Sequence, residues 1–200
     1  MKIKIRKKLV AGIIFLGLFG HTVNAGEIVS VDKNFASPIV PLSGYNKVHI
    51  QALDLSETTI ISPPWADKDN FHWQVKPSNV AFLKKSFLNG VKDGLTGNNS
   101  RYNVVEKAGK GVLDVDVEII SFMPYAAKDD TEARTKGSGE FHISVQLRDG
   151  KSNALIHIFE GTVAIGSEYQ PNTEMARLEG AEQLFHNWGK RLRKKLDEAS

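Results

Sequence analysis

Two pairs of carboxylates come closest, by residue type and spacing, to an acid–base catalyst in this chain. Asp67 and Asp69 lie in a polar stretch of a long predicted loop, whereas Asp114 and Asp116 alternate along a predicted strand. A hydrolase needs a nucleophile or an activated water molecule with a base held within reach. The solvent-facing side of a strand would place Asp114 and Asp116 in the same way, so their spacing alone does not indicate catalysis.

The sequence lacks the motifs of the common hydrolase and nucleotide-binding sites. The 200 residues include no cysteine, no Gly-x-Ser-x-Gly elbow, no His-Glu-x-x-His pair and no phosphate-binding glycine loop. We therefore predict no catalytic residue and favour a non-catalytic protein. A hydrolase acting on cell-envelope material is the alternative.

Acidic and histidine side chains also raise the question of a metal site. Asp129, Asp130 and Glu132 do not match the Asp-x-Asp-x-Asp-Gly pattern with a distal glutamate that holds calcium. His142 and His157 lie on neighbouring predicted strands and could form a pair, but a metal site needs further ligands of matching geometry. We predict no metal and no cofactor.

Aromatic residues cluster in the long connection 54–76, which carries Trp65, Phe71, His72 and Trp73. Large aromatic side chains dominate contact surfaces, so this loop could form a binding platform. The interpretation we favour is a lid that buries its rings on the core, because such rings are usually buried. These four residues, together with Tyr125 in the polar stretch 124–139, are the candidate contacts for a ligand or partner. We expect 124–139 to be an exposed loop.

The stretch 111–122 organises the rest of the chain. It reads Gly-Val-Leu-Asp-Val-Asp-Val-Glu-Ile-Ile-Ser-Phe, and its alternation of apolar and acidic residues is typical of a half-buried strand. Similar alternation predicts four further strands, over 47–53, 101–107, 140–148 and 154–165. We expect the turn Gly109-Lys110-Gly111 to join 101–107 to the central strand as a hairpin.

Two amphipathic helices complete the predicted elements. The first follows Pro77, with Ser78 or Asn79 as its cap, and ends at Gly94 to Gly97. The second follows Asn172 or Thr173 and runs to the end of the chain. Its last turns carry the basic run 190–195, which could meet an anionic membrane. We favour the simpler interpretation that cations stabilise the C-terminal end of the helix dipole.

Residues 1–25 have the parts of a secretory signal peptide. A basic start is followed by the uncharged apolar run 9–20 and by Val23-Asn24-Ala25, which has small residues where a signal peptidase reads. Twelve helical residues span about 18 Å, well short of the roughly 30 Å of a bilayer core. We predict cleavage after Ala25 and no membrane-spanning segment.

Removal of this segment changes the charge of the protein. The segment holds five of the 26 basic residues and none of the 23 acidic ones, so the net charge falls from +3 to 21 minus 23, or −2. The high isoelectric point is therefore no argument for nucleic-acid binding. The lack of cysteine excludes lipid attachment at a signal-peptide cysteine. We expect a soluble periplasmic protein.

The order of these parts resembles a bacterial family, domain of unknown function 3313, over residues 40–198. The resemblance is carried by Tyr45-x-x-Val48-x-Ile50, Gly111-x-Leu113-x-Val115-x-Val117-x-Ile119 with Pro124, Ile143-x-Val145-x-Leu147-x-Asp149, and Trp188 before Arg191-Leu192-Arg193. Members of that family are mostly cell-envelope lipoproteins, so the resemblance implies an envelope address and a compact α+β domain. The missing lipobox cysteine favours a soluble form here.

Together these patterns predict a signal peptide over 1–25, an extended leader over 26–44 and a single α+β domain over 45–200. We expect a mixed or largely antiparallel sheet of about five strands with both helices packed on one face. The predicted function is that of a binding module for an envelope protein, a lipid or a glycan. Its contact surface would be the Trp65–Trp73 loop, the 124–139 loop or an exposed sheet edge.

Overall fold

The computed structural model describes residues 26–66, 73–97 and 100–199. The predicted signal peptide lies outside the described residues. Within them, nine strands and two helices follow one another as β1 (Ile28–Ala36), β2 (Lys47–Ile50), β3 (Thr59–Ile60), α1 (Pro77–Thr96), β4 (Asn103–Val105), β5 (Val112–Pro124), β6 (Arg134–Lys136), β7 (Gly139–Asp149), β8 (Leu155–Ile165), β9 (Tyr169–Pro171) and α2 (Glu174–Glu198).

Strand β5 lies at the centre of a mixed seven-stranded sheet. The order across the sheet is β1-β8-β7-β5-β2-β4. Strand β2 pairs with the first residues of β5, and β3 pairs with residues near its C-terminal end. Pairing is antiparallel from β1 to β5, whereas β2 and β3 run parallel to β5. The α+β class is therefore confirmed. The described sheet has more than the five predicted strands because β1 and β3 join it.

The apolar side of β5 forms the floor of the core. Leu113, Val115, Val117 and Ile119 are each no more than 3% exposed. They belong to one cluster with the buried residues of both helices, so α1 and α2 cover this side of the sheet. The other side of β5 carries Asp114 and the acidic residues that follow it in alternation.

The predicted hairpin between 101–107 and the central strand is wrong. Strand β4 pairs in parallel with β2, and β2 lies between β4 and β5. The two strands differ in burial, since Val104 and Val105 of β4 stay only partly buried. Val48 is fully buried and Ile50 is 6% exposed, so β2 occupies the inner position and leaves the sheet edge to β4.

A β-bulge interrupts the alternation near the end of β5. Ile119 pairs with Ile143 and Ser121 with His142, which leaves Ile120 as an extra residue. The bulge turns Phe122 to the same side of the sheet as Ile119, where its ring centroid lies 5.6 Å from that of Phe141. Strict alternation would have placed Phe122 on the acidic side.

Two segments predicted to lie outside regular structure take part in sheets. Within the predicted leader 26–44, residues 28–36 form the edge strand β1, which pairs with β8. Within the predicted loop 124–139, residues 134–136 form β6, which pairs with β9 as a two-stranded ribbon.

The two helices run parallel to each other. Three contacts show this direction, each further along both helices than the one before: Asn79 with Glu174, Ser86 with Glu182, and Gly94 with Gly189. The aromatic rings of Phe87 and Phe185 meet edge to face between them, with centroids 5.5 Å apart. Among the described residues, no helix is both long enough and apolar enough to cross a membrane.

Glycine allows the helices to touch backbone to backbone. A Cβ placed on Gly94 would lie 2.1 Å from the carbonyl oxygen of His186, and one on Gly189 would lie 2.2 Å from that of Val91. The prediction that Gly94 helps to end the first helix is wrong, because α1 continues to Thr96 and Gly97 is its C-cap. Gly94 is instead the position where α2 approaches.

We expect Gly94→Ala to lower the free energy of unfolding by about 3 kcal/mol or more, because the added methyl would overlap backbone atoms that cannot move alone. Intrinsic helix propensity would favour alanine by about 1 kcal/mol, so a loss has to come from the helix contact. Urea unfolding followed by circular dichroism measures the difference.

Gly109→Ala is the matched control for this substitution. Nothing lies within 4 Å of a Cβ at Gly109, and we expect a change within about 0.5 kcal/mol. If Gly94→Ala proved as stable as Gly109→Ala, the close helix approach would be refuted.

Candidate ligand-binding site

A cavity of about 160 Å³ opens between the first turns of both helices and the sheet beneath them. Apolar side chains form most of its wall: Val80 and Leu83 of α1, Leu178 and Ala181 of α2, Ile119 and Phe122 of β5, Phe141 of β7 and Ile165 of β8. An engineered apolar cavity of roughly 150 Å³ holds a benzene molecule. This cavity therefore has room for one ring or a short alkyl segment.

The cavity is open to solvent at its rim. Leu55, Leu83 and Phe122 pack against the core but stay only partly buried, and Val75 is 41% exposed. Side chains of this kind are usually buried when a core closes over them. Their exposure leaves apolar surface available to a ligand.

Trp73 forms a fixed part of the cavity wall. Its indole Nε1 donates a hydrogen bond to the carbonyl oxygen of Ala126 at 3.1 Å. Its ring meets Phe122 edge to face, with centroids 5.4 Å apart. A hydrogen bond at one end and ring packing at the other hold the indole in a single orientation. Trp73 is thus both lid and wall.

The segment 126–133, which supplies the acceptor for Trp73, is held in place by Asn172. This residue is 4% exposed. The amide nitrogen of its side chain donates to the carbonyl oxygens of Ala127 and Asp130, at 2.6 and 2.8 Å. Its backbone N–H donates to the carbonyl oxygen of Ala133 at 3.0 Å. These bonds, with the β6–β9 ribbon, give most of the predicted exposed loop a defined path.

Two cations lie at the cavity beside the indole. The Arg177 guanidinium carbon lies 5.0 Å from the centroid of the Trp73 ring, and the Lys128 ammonium nitrogen lies 6.0 Å from it. Arg177 donates to Oδ1 of Asn172 at 2.6 Å, and Lys128 donates to the carbonyl oxygen of Gln74 at 3.0 Å. Burial lowers the pKa of Arg177, and the negative charge of Glu174 opposes that shift in part.

Glu174 joins the N-terminal ends of the two helices. Its Oε1 accepts a hydrogen bond from the side-chain amide of Asn79 at 2.8 Å. This bond, followed by the charge of Lys76, lowers the pKa of Glu174 below its usual range. At this end the helices therefore meet through side chains, whereas at Gly94 they meet through backbone atoms.

The structure separates the five predicted contact residues. Trp73 lines the cavity, whereas Trp65 is 57% exposed and does not line it. Tyr125 also lies outside the cavity wall, and its hydroxyl donates to Oε1 of Glu140 at 2.6 Å. Burial, helped by that bond, raises the pKa of Tyr125. Phe71 and His72 lie outside the described residues.

The acid pair Asp114 and Asp116 lies on the side of the sheet opposite the cavity. Asp114 is only 9% exposed, which corrects the prediction that this side faces solvent throughout. It contacts Nδ1 of His49 at 2.6 Å and accepts a hydrogen bond from the side chain of Gln51 at 2.8 Å. Burial and the charge of Asp114 raise the pKa of Asp116. The pair Asp67 and Asp69 lies outside the described residues.

The two strand histidines do not form a pair. His142 faces Asp32, whose carboxylate lies 3.5 Å from its Nδ1, on one side of the sheet. His157 faces the helices on the other side, where the Lys195 ammonium donates to its Nε2 at 3.0 Å. Burial and that positive charge lower the pKa of His157 to about 4. In the part of the chain that the structure describes, no three His, Asp or Glu side chains are grouped to hold a metal ion.

Cations near the end of α2 make contacts within the domain. Arg191 donates to the carbonyl oxygen of Gly26 at 2.7 Å, and Arg193 donates to that of Gly97. Lys195 donates to a ring nitrogen of His157. These contacts favour a structural role for the basic run over a membrane contact, and they involve specific acceptors as well as the helix dipole.

Sequence reasoning missed Arg177, Lys128 and Asn172. Arg177 occupies an ordinary polar position in a helical pattern, and Lys128 lies in a stretch without periodicity. By residue type Asn172 and Thr173 are alternative caps for α2. The structure has Thr173 as the N-cap, which accepts a hydrogen bond from the N–H of Ala176. The turn residues before the helix were the only local signal.

No family model matches this chain, and no curated protein matches it in sequence. The resemblance to domain of unknown function 3313 therefore stays a prediction. Several solved structures match this chain at low identity and with low TM-scores. The PelC dodecamer from Paraburkholderia phytofirmans is 9% identical with a TM-score of 0.41, and the match covers 84% of this chain and 97% of that one.

Two further structures match at similar levels. Protein XCC0632 from Xanthomonas campestris, of family DUF330, is 12% identical with a TM-score of 0.40, and the match covers 79% of this chain and 87% of that one. Protein CT253 from Chlamydia trachomatis is 10% identical with a TM-score of 0.41, covering 76% of this chain and 98% of that one. Neither value assigns a family or an activity to this chain.

We expect Asn172→Ala to lower the free energy of unfolding by about 2 kcal/mol, because it removes the donor to two carbonyl oxygens and one of the two hydrogen bonds that hold Arg177. Urea unfolding measures the loss, and hydrogen exchange should become faster across residues 127–133. Asn34→Ala on the exposed edge strand is the matched control, with an expected change within about 0.5 kcal/mol. Equal stabilities of the two variants would contradict the role given to Asn172.

Proposed function

We propose that this chain is a non-catalytic binding protein of the periplasm that holds a small apolar group in the cavity beneath Trp73. The observation that carries the proposal is the open apolar cavity itself. Small-molecule sites are typically concave and mostly apolar, with a few polar groups that fix the orientation of the ligand. Here the wall is apolar, and Arg177, Lys128 and Glu174 are the charged groups at it.

The character of the wall favours one of the three predicted classes of partner. A glycan would need hydrogen-bonding groups spread around its hydroxyls, and a protein partner would need a broad surface. The cavity instead offers a compact apolar volume with charge at one side. A lipid-like small molecule fits these features best.

The geometry favours binding over hydrolysis. Of the two predicted acid pairs, the described one, Asp114 and Asp116, lies across the sheet from the cavity. Asp114 is also engaged by His49 and Gln51, so its carboxylate already has partners. A base for hydrolysis would have to lie within hydrogen-bond reach of the bound substrate.

Export to the periplasm is proposed from residues 1–25, and packing at Gly26 supports processing at that point. The Gly26 carbonyl oxygen accepts from Arg191, and a Cβ on Gly26 would lie 2.6 Å from Cδ1 of Leu184. The domain thus makes core contacts from the residue directly after the predicted cleavage position. We expect N-terminal sequencing of protein from a periplasmic extract to begin at Gly26. Protein that stays in the cytoplasm, or begins at Met1, would refute the proposal of export.

We expect the purified protein to bind hexan-1-ol with a dissociation constant on the order of 1 mM, because about five buried methylene groups at ~0.8 kcal/mol each give that affinity. NMR titration is the measurement, and shifted amide signals should cluster at Leu83, Ile119 and Leu178. An indole in place of the Leu178 side chain should fill the cavity, so Leu178→Trp is expected to abolish these shifts.

Leu88→Trp is the matched control for this test. Leu88 is 44% exposed on α1 and does not line the cavity, so this variant should bind like the wild type. The proposal would be refuted if Leu178→Trp still bound hexan-1-ol, or if the shifted amide signals lay elsewhere on the surface.

A further inference from the structure

The charges at the cavity show which end of a ligand would lie there. Arg177 and Lys128 line the cavity with one carboxylate, Glu174. That carboxylate accepts a hydrogen bond from Asn79, and the charge of Lys76 acts on it together with those of the two cavity cations. A single carboxylate therefore faces three cations. Among the described residues, neither Arg177 nor Lys128 forms an ion pair with a carboxylate. The site therefore has an excess of positive charge.

The Arg177 guanidinium is oriented and has donors to spare. One terminal nitrogen, Nη1, donates to both the backbone oxygen and Oδ1 of Asn172. A guanidinium carries five N–H donors in a fixed plane, and its other nitrogens make no hydrogen bond to the described residues. Asn172 thus fixes the plane of the group while its opposite edge stays available. That edge is suited to the two oxygens of a carboxylate or phosphate.

The position of Arg177 makes an anionic partner favourable. The side chain is partly buried beside the Trp73 ring, and this burial lowers its pKa because the charge of Glu174 offsets only part of the cost of removing the guanidinium from water. The ring face compensates for only part of that loss. An anion at the free edge of the guanidinium would supply the missing partner.

The parallel helices add to the positive potential at the cavity. The cavity wall includes the first turn of α1, at Asn79 and Val80, and the first turn of α2, at Glu174 and Arg177. Peptide dipoles leave partial positive charge at the N-terminal end of each helix. Because α1 and α2 run in the same direction, both positive ends lie at the cavity.

We propose that the ligand is a small amphiphile whose single anionic head, a carboxylate or a phosphate, is bound by Arg177 and Lys128 while its alkyl or aromatic tail fills the apolar cavity. This inference rests on the proposed function, since it specifies the ligand of the same cavity. In this arrangement Trp73 lies between head and tail, because the two cations lie near its ring and Phe122 packs against the same ring.

Four probes with the same six-carbon tail test the inference on the purified protein: hexanoate, hexyl phosphate, hexan-1-ol and hexylammonium. Titration calorimetry or NMR gives each dissociation constant. We expect at least one anionic probe to bind about tenfold more tightly than hexan-1-ol and hexylammonium to bind more weakly than hexan-1-ol. The advantage of the anion should shrink at high salt, because the cations are partly exposed. The tighter of the two anionic probes identifies the head group.

Two variants locate the anion. Lys128→Gln and Arg177→Gln should each reduce the preference for the anion over hexan-1-ol several-fold. Lys92→Gln, which removes the same charge from an exposed position on α1 outside the cavity wall, is the matched control and should bind like the wild type. Lys128→Gln keeps the test decisive if Arg177→Gln fails to fold once the bonds to Asn172 are lost.

The outcomes separate this inference from the proposed function. If hexan-1-ol binds and the anions bind no more tightly, the anionic head is refuted and the apolar cavity site stands. If the anions are favoured but both cavity variants keep that preference, Arg177 and Lys128 are not the head-group site. If none of the four probes binds at the cavity, the proposed function fails as well.

Discussion

The backbone contact between α1 and α2 at Gly94 and Gly189 is the constraint on which the rest of the domain depends. With no Cβ on either side, the helices approach closely enough to act as one layer over the sheet. Side chains between the helix backbones would hold them further apart and open the core around Phe87 and Phe185. At the other end, Asn79 and Glu174 meet through their side chains. The cavity lies beneath the end where the helices are held apart.

Local patterns in the sequence predicted the α+β class and the central strand, because alternation and helical stripes record which side of each element is buried. They failed where pairing depends on distant residues. The turn at Gly109 to Gly111 is compatible with a hairpin, yet the more deeply buried strand β2 takes the position between β4 and β5. The bulge at Ile120 likewise has no recognisable pattern in the sequence, since an extra residue in one strand is defined only by the partner strand. That bulge is what brings Phe122 to the cavity.

The candidate site was predictable only in part for the same reason. Trp73 was identified because a tryptophan in a long loop is conspicuous by type, and its neighbour Trp65 was conspicuous for the same reason without lining the cavity. Arg177, Lys128 and Asn172 are common residue types in unremarkable positions. Their importance arises from hydrogen bonds between segments some forty residues apart in sequence, such as Asn172 to Ala127 and Asp130. No local pattern carries that information.

Two features of the site are locally unfavourable, and both call for the same remedy. Leu83 and Phe122 leave apolar surface in contact with solvent, and Arg177 is partly removed from water while Glu174 compensates for only part of that cost. Folded domains usually avoid such conflicts, and the places where they persist are typically functional. An apolar tail alone would relieve the first, and a free anion alone would relieve the second. Because both meet at the indole of Trp73, one amphipathic molecule would relieve them together.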